Sequence, residues 1–187
     1  MIILTKLSYR KVLNKGRTLN VGNHPMHCLD NKMYRIFNGG MLDMDNVKTK
    51  VKAVWNGGIM GTGSLKGENV DTQIAISKSS GGNGNGAEPQ ELLVCSATTC
   101  YIETLTYMLE SRKLPVVELM INSEATVSED GFHIIHYPKI ILDTNATEEL
   151  IQSTYRVIEG ADRGCKVGNL LRKAGIIINI EGKVTIQ

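Results

Sequence analysis

Cysteines are the residues of this chain whose type and spacing most directly point to chemistry. There are four, at Cys28, Cys95, Cys100 and Cys165. Cys95 and Cys100 lie five residues apart in a segment with helical periodicity, so on a helix their side chains point about 140° apart. That angle excludes a disulfide between them within one helix. Cys100 and Cys165 are far apart in sequence, so only the tertiary fold can bring them together.

Two thiols that meet in a fold can carry out a peroxidatic cycle. A thiolate attacks a peroxide oxygen and becomes a sulfenic acid, and a second thiol then condenses with it to form a disulfide. The cycle needs both thiols within reach of each other and a group that holds the first as a thiolate.

Cys165 lies at a position where a helix would favour ionisation of its thiol. It opens a predicted helix that runs to Lys173, and the free N–H groups and positive dipole at a helix start favour a thiolate. Arg163 and Lys166 flank it and act in the same direction. The alternative is that Cys165 caps the helix without being reactive.

Cys100 closes the run of small residues Ser96–Cys100 in the middle of a predicted helix. Small residues allow another element, or a second copy of the same helix, to approach closely. The alternative is that Cys100 is a small buried hydrophobic residue, which is a common role of free cysteine.

The elements that must position these cysteines are segregated along the chain, as three strands, a helix, two strands, two helices and a strand. Because strands and helices do not alternate, the order predicts an α+β fold rather than an α/β fold. A glycine-rich segment, Ser79–Gly86, is predicted to be a flexible connector before the long helix. The predicted ranges are strands Asn46–Trp55, Ile59–Lys66 and Asp71–Ser77, a helix from Pro89 to about Lys113, strands Val117–Ser128 and Phe132–Leu142, helices from Thr147 to about Glu159 and from Cys165 to Lys173, and a strand Ile176–Ile186.

Composition excludes several classes of function. Aromatic residues are 5% of the 187 residues, too few for a base-stacking nucleic-acid surface, and no apolar run approaches the length of a membrane span. The chain has neither the cysteine density of a disulfide scaffold nor the apolar stretch of a signal peptide, which predicts a cytoplasmic protein with reduced thiols. The sequence predicts no metal site, since the group at residues 24–28 lacks a second half-site.

Charge separates the chain into two parts. Residues 1–40 hold seven basic residues and one acidic residue, although the whole chain has a net charge of +2. Their periodicity is weak, which predicts a poorly ordered basic extension before a domain spanning residues 41–187.

The ordered set of motifs over residues 46–187 resembles the OsmC/Ohr family of bacterial thiol-dependent hydroperoxide reductases. The resemblance rests on Trp55-Asn56-Gly57-Gly58, a glycine-rich loop before Pro89-Gln90-Glu91-Leu92-Leu93, Ser96-Ala97-Thr98-Thr99-Cys100, and Gly164-Cys165-Lys166-Val167.

That resemblance implies an OsmC-like α+β fold with antiparallel sheets and a long central helix, in an intertwined homodimer with its active sites at the subunit interface. It implies Cys100 as the peroxidatic and Cys165 as the resolving cysteine, with organic hydroperoxides as substrates in oxidative stress defence. A dithiol or a lipoyl protein would reduce the disulfide, and no metal or bound cofactor would be used.

The chain also departs from the family pattern. The best-characterised members place a glutamate ten residues before the peroxidatic cysteine, paired with an arginine of the first sheet. Here that position is Gln90, and the glutamate is Glu91, about 100° further around the helix. The first sheet contains lysines and no arginine. These features resemble the YhfA-like branch, and Arg163 or a lysine of the first strand, Lys50 or Lys52, would have to supply the missing charge.

Two hypotheses of different class follow. The first is a two-cysteine hydroperoxide reductase supported by Gln90, Glu91 and Arg163. The second is a small-molecule-binding or thiol-carrier protein on the same scaffold, for which the altered Arg/Glu pair is the reason. A nucleic-acid or membrane module using the basic extension is disfavoured.

Overall fold

The computed structural model of the chain describes residues 48–187. The predicted basic extension, residues 1–40, lies outside the described residues, as does the start of the predicted strand Asn46–Trp55. The elements are β1 (Lys52–Asn56), β2 (Thr62–Lys66), β3 (Asp71–Ala75), α1 (Pro89–Ser111), β4 (Val116–Ser128), β5 (Gly131–Leu142), α2 (Glu148–Gly164), α3 (Lys166–Lys173), β6 (Ile177–Ile180) and β7 (Lys183–Ile186).

The strands form two separate sheets, and the predicted α+β class is confirmed. β1, β2 and β3 make an antiparallel meander. β4 and β5 form a long antiparallel hairpin, and the other edge of β5 pairs with β6 and then β7, both in parallel. The expected antiparallel pairing is observed in the first sheet and in the β4–β5 hairpin, and the second sheet is mixed because β6 and β7 add to it in parallel.

Helix α1 runs through the core beside the second sheet. Pro89 occupies its first turn, where a missing N–H costs nothing. Among residues 48–187 it is the one helix whose length and composition would allow it to cross a membrane. The apolar composition of α1 is explained by the fold, because one side of the helix packs against α2, α3 and β4. Its buried residues are Ala97, Tyr101, Thr104, Leu105, Met108 and Leu109.

Helix α2 continues through Gly160 to Gly164, which corrects the predicted end near Glu159. Both glycines face α1 at very short range. A Cβ at Gly160 would lie 2.7 Å from Met108 Cε, and one at Gly164 would lie 3.2 Å from Thr104 Cγ2. The glycines therefore permit a close approach of α2 to α1 rather than a break, and this approach delivers the end of α2 to the middle of α1.

Two further segments differ from the prediction. The predicted final strand Ile176–Ile186 is divided at Gly182, whose α-carbon packs so tightly on Ile158 that a Cβ would lie 2.8 Å from Ile158 Cδ1. The glycine-rich connector is held by specific hydrogen bonds. Asn83 Nδ2 donates to the carbonyls of Met60 at 2.7 Å and of Gly61 at 3.0 Å.

The close approach of α2 to α1 makes Gly164 intolerant of a branched side chain. We expect Gly164→Val to lower the free energy of unfolding by roughly 1–3 kcal/mol, the usual cost of overpacking, in urea denaturation. Arg156→Val places the same side chain on an exposed position of α2 and is expected to change stability by about 0.5 kcal/mol. Equal losses in the two variants would contradict a packing role of Gly164.

Candidate active site

Two thiols lie together at the start of helix α3. Cys165 is the N-cap of α3, and its Sγ accepts a hydrogen bond from the Gly168 N–H at 3.3 Å. The Sγ of Cys100, from the middle of α1, accepts one from the Val167 N–H at 3.4 Å. The first turn of a helix leaves its N–H groups without backbone acceptors, and here two of them are directed at sulfur. The structure thus brings together the two cysteines that the sequence singled out.

The side chains of Cys100 and Cys165 also interact with each other. After the burial of Cys165, this interaction is among the causes that raise the pKa of its thiol. The two sulfurs therefore lie close together while each accepts a backbone N–H from the same first turn of α3.

The environment of Cys165 favours the neutral thiol, not the thiolate that the sequence predicts. Cys165 is only 2% exposed. This burial is the main reason that the pKa of its thiol is raised to about 12, although the Gly168 N–H acts in the opposite direction. Arg163 and Lys166 are both exposed, so their charges are largely screened by water. The prediction of a thiolate at Cys165 is therefore wrong, and the alternative role of helix cap is observed.

The other predicted supporting residues lie away from the sulfurs. Gln90 and Glu91 are exposed in the first turn of α1, and the helical rise places Gln90 about 15 Å from Cys100 along the axis. Arg163 is paired at 4.0 Å with Glu159, with both side chains 73% exposed. Within this chain, neither Gln90, Glu91 nor Arg163 makes a described contact with the thiol pair.

An ion pair beside Cys165 was not predicted. Arg172 Nη2 lies 2.6 Å from Asp162 Oδ1, and the same nitrogen donates to the Ile178 carbonyl at 3.2 Å. This pair joins the end of α2 to the end of α3 and to β6, so it fixes the angle at which α3 leaves Cys165. The Asp162 carboxylate is close enough to raise the pKa of the Cys165 thiol as well.

A buried polar layer joins α1 to the second sheet next to Cys100 in the sequence. The ring of Tyr101, the next residue of α1, stacks on the ring of His136 with centroids 5.1 Å apart. His136 Nδ1 lies 2.7 Å from Ser123 Oγ, which is hydrogen-bonded to Thr98 Oγ1 at 2.8 Å. The phenol of Tyr101 donates to the Ile158 carbonyl at 3.3 Å. No local pattern marks this layer in the sequence.

Cys95, the third cysteine of the described residues, lies away from the thiol pair. It is exposed on a different side of α1, as the five-residue spacing from Cys100 predicts. Among residues 48–187 there is no group of three or more His, Cys, Asp or Glu side chains arranged to hold a metal ion.

The residues that form this site belong to a recognised sequence family. The family model described as "OsmC-like protein" matches residues 81–181, more than half of the chain. A protein of Bacillus subtilis (strain 168) named "Uncharacterized protein YmaD" is 29% identical over 141 residues, which span 73% of this chain and 93% of the relative.

Solved structures agree in fold. An OsmC-like protein from Mycoplasma pneumoniae superimposes with a TM-score of 0.58 at 17% identity, covering 76% of this chain and 99% of the other. An organic hydroperoxide resistance protein from Elizabethkingia anophelis gives a TM-score of 0.52 at 22% identity, covering 77% of this chain and 99% of the other. At these identities the likeness establishes the fold alone.

The buried His136 makes stability depend on pH. Burial is the largest cause that lowers the pKa of His136 below its ordinary 6.5, so the unfolded chain binds a proton as the pH falls below 6.5 while the folded chain resists it. The free energy of unfolding should therefore decrease between pH ~7.5 and pH ~5.5. We expect His136→Gln to flatten this slope in urea denaturation.

The control for this experiment is Asn122→Gln, an exposed position without a titratable side chain on the neighbouring strand β4. It should retain the slope of the unsubstituted chain. An unchanged slope in His136→Gln would contradict the assignment.

Proposed function

The chain belongs to the family of OsmC-like proteins, and on that premise we propose that it reduces organic hydroperoxides with Cys100 as the peroxidatic and Cys165 as the resolving thiol. The observation that carries the proposal is the meeting of the two thiols at the first turn of α3, where the Val167 N–H donates to the Cys100 sulfur and the Gly168 N–H donates to the Cys165 sulfur. The similarity to an organic hydroperoxide resistance protein of Elizabethkingia anophelis supports the substrate class.

The peroxidatic step uses the Cys100 thiolate. Its sulfur attacks one oxygen of the hydroperoxide and the O–O bond breaks, which leaves Cys100 as a sulfenic acid and releases an alkoxide that takes a proton to become the alcohol. Cys100 is partly exposed whereas Cys165 is buried, so Cys100 is the thiol that a substrate can reach.

The resolving step uses the proton that Cys165 retains. Its sulfur attacks the sulfenic sulfur, an S–S bond forms and the S–O bond breaks, and the hydroxyl group leaves as water with the Cys165 proton. The two sulfurs accept N–H groups of adjacent residues at the start of α3, so disulfide formation needs only a short approach of the two side chains.

Stabilisation of the Cys100 thiolate does not depend on an arginine of the first sheet in this proposal. The Val167 N–H and the positive end of the α3 dipole supply positive charge at the sulfur instead. A helix of eight residues with a backbone donor is a weaker source than an adjacent guanidinium, so turnover should be slower than in arginine-bearing relatives.

Completion of the cycle requires an external reductant. We assign this role to a dithiol or a lipoyl protein, which would reduce the Cys100–Cys165 disulfide by thiol–disulfide exchange. No bound cofactor is required, because the electrons come from the reductant. This cycle fits a cytoplasmic protein of oxidative stress defence.

A homodimer is part of the proposal, because the first sheet lacks a core of its own. All five residues of β1 are exposed, and large apolar side chains are uncovered on and beside it, namely Val54, Trp55, Ile59 and Met60. A second, intertwined copy would cover them, burying more than ~2,000 Å² in total. Sedimentation equilibrium at micromolar concentration should therefore give a dimer, and a monomer would contradict this.

The alternative is a small-molecule-binding or thiol-carrier protein on the same scaffold. A cavity of about 560 Å³ lies between the first sheet and the start of α1, with Trp55, Leu65 and Ile74 on its walls and Ser77 and Gln90 among its polar residues. Its size and mostly apolar lining are typical of small-molecule sites. Binding of an apolar probe, without peroxide turnover, would favour this function.

Substitution of single cysteines tests the main proposal. We expect Cys100→Ser to abolish reduction of cumene hydroperoxide with dithiothreitol, because the attacking sulfur is lost. Cys165→Ser should instead leave a sulfenic acid at Cys100 that dimedone traps, because no second thiol of the pair resolves it. Both outcomes are read by peroxide consumption and peptide mass spectrometry.

The matched control is Cys95→Ser, since Cys95 lies on the same helix but is exposed away from the pair. It should keep the activity of the unsubstituted chain. Activity that survives in Cys100→Ser, or an unsubstituted chain without peroxide turnover, would overturn the proposal.

A further inference from the structure

The sulfur of Cys100 lies beside a backbone nitrogen as well as beside a second thiol. The Val167 N–H donates to Cys100 Sγ, with 3.4 Å between the nitrogen and the sulfur. Val167 is the second residue of α3, and an N–H at that position has no acceptor within its own helix. The nitrogen is therefore held against the sulfur, and α3 does not depend on its hydrogen.

A sulfenic acid that meets a backbone nitrogen can condense with it. The product is a sulfenamide, in which the sulfur is bonded to the nitrogen, and it belongs to the reversible part of cysteine oxidation. A second peroxide would instead convert the sulfenic acid to a sulfinic acid, which thiols do not reduce. The fate of a Cys100 sulfenic acid thus depends on which nucleophile reaches it first.

Resolution of that sulfenic acid by Cys165 is not immediate. Cys165 is 2% exposed, and burial in apolar surroundings keeps a thiol neutral, whereas the thiolate is the nucleophile. Cys100 is partly exposed, so further peroxide can reach its sulfur during the delay. A second acceptor in contact with the sulfur would prevent this over-oxidation.

We propose that the Val167 amide nitrogen is a reserve acceptor, which forms a sulfenamide with Cys100 when Cys165 does not resolve the sulfenic acid. The inference rests on the proposed function, in which an organic hydroperoxide oxidises Cys100. An S–N bond forms, the S–O bond breaks, and the hydroxyl group leaves with the amide proton as water.

A dithiol reverses the modification. One of its thiolates attacks the Cys100 sulfur, the S–N bond breaks, and the Val167 nitrogen regains a proton. The second thiol then releases Cys100 from the mixed disulfide, so that the dithiol ends as a disulfide.

The start of α3 tolerates the sulfenamide. Once it is bonded to sulfur, the Val167 nitrogen carries no hydrogen, as in proline, which is accepted at the start of a helix. No hydrogen bond within α3 is lost. The new bond joins two segments that are already in contact, the middle of α1 and the start of α3.

The test uses the full chain with Cys100 as its only cysteine. The three other cysteines are replaced in Cys28→Ser, Cys95→Ser and Cys165→Ser, and a serine hydroxyl can still cap α3. Cumene hydroperoxide, added without dimedone, should give a chain that is lighter by two hydrogen atoms in intact mass spectrometry. A disulfide within the chain cannot explain this loss, and one between chains would double the mass. Dithiothreitol should restore the original mass.

Digestion with trypsin locates the new bond. A sulfenamide at the Val167 nitrogen should block cleavage after Lys166 and should join the uncut peptide to the peptide that contains Cys100. A bond from Cys100 to any other nitrogen would overturn the proposal.

Two proline variants of this chain provide a matched comparison. Val167→Pro removes the amide hydrogen, whereas Lys166→Pro places proline one residue earlier and leaves the Val167 N–H intact. The backbone of Cys165 is extended, with φ −67° and ψ 111°, as the residue before a proline requires. The loss of two hydrogens should persist in Lys166→Pro and disappear in Val167→Pro, which should gain oxygen atoms instead. A loss that persists in Val167→Pro would contradict the assignment.

The masses also separate this inference from the proposed function. A gain of oxygen at Cys100 without any loss of hydrogen would show that peroxide oxidises the thiol and would overturn the role of Val167 alone. An unchanged mass would refute the proposed function, and this inference with it. The tryptic linkage in the chain with Val167 decides the assignment even if Val167→Pro lowers stability.

Discussion

The structure of the site depends on the hydrogen bonds that two N–H groups at the start of one short helix donate to sulfur. Helix α3 begins at Cys165, and its first turn directs the Gly168 N–H to that sulfur and the Val167 N–H to the sulfur of Cys100. One residue thus ends α2, caps α3 and forms half of the thiol pair. Any change in how α2 approaches α1, or in how α3 leaves α2, separates the sulfurs or removes a donor.

Contacts in the other elements hold the start of α3 in place. Gly160 and Gly164 allow α2 to lie against Met108 and Thr104 of α1, which sets the position of Cys165. The Asp162–Arg172 pair and its bond to the Ile178 carbonyl set the direction of α3. The stacked rings of Tyr101 and His136 join α1 to β5 in the buried polar layer of the core. Every buried polar group of this layer that we have described has a partner, as a low-dielectric interior requires.

Local signals in the sequence were sufficient for most of the elements. Thr147 caps α2 by accepting the Leu150 N–H, Pro89 opens α1, and Gly175 follows α3 with φ +87°, each as its residue type predicts. The prediction of a helix break at Gly160 and Gly164 was wrong because glycine's intrinsic cost in a helix was outweighed by packing against α1. Parallel pairing of β6 and β7 with β5 was missed because it depends on contacts between distant segments.

The candidate site was predictable in its sulfurs but not in its surroundings. Cys100 and Cys165 stood out by residue type and by their places on helices, whereas Asp162, Arg172 and His136 come from three elements and carry no common motif. Burial also reversed the expected ionisation of Cys165, because the desolvation of a side chain is set by the tertiary fold and not by its neighbours in sequence.

Peptide mapping of the oxidised chain tests the central claim most directly. The reduced protein is treated with one equivalent of an organic hydroperoxide, digested without reductant and analysed by mass spectrometry. The account predicts a single new linkage, a disulfide between Cys100 and Cys165 of the same chain. A linkage through Cys95, or a chain in which both thiols of the pair remain reduced, would contradict it.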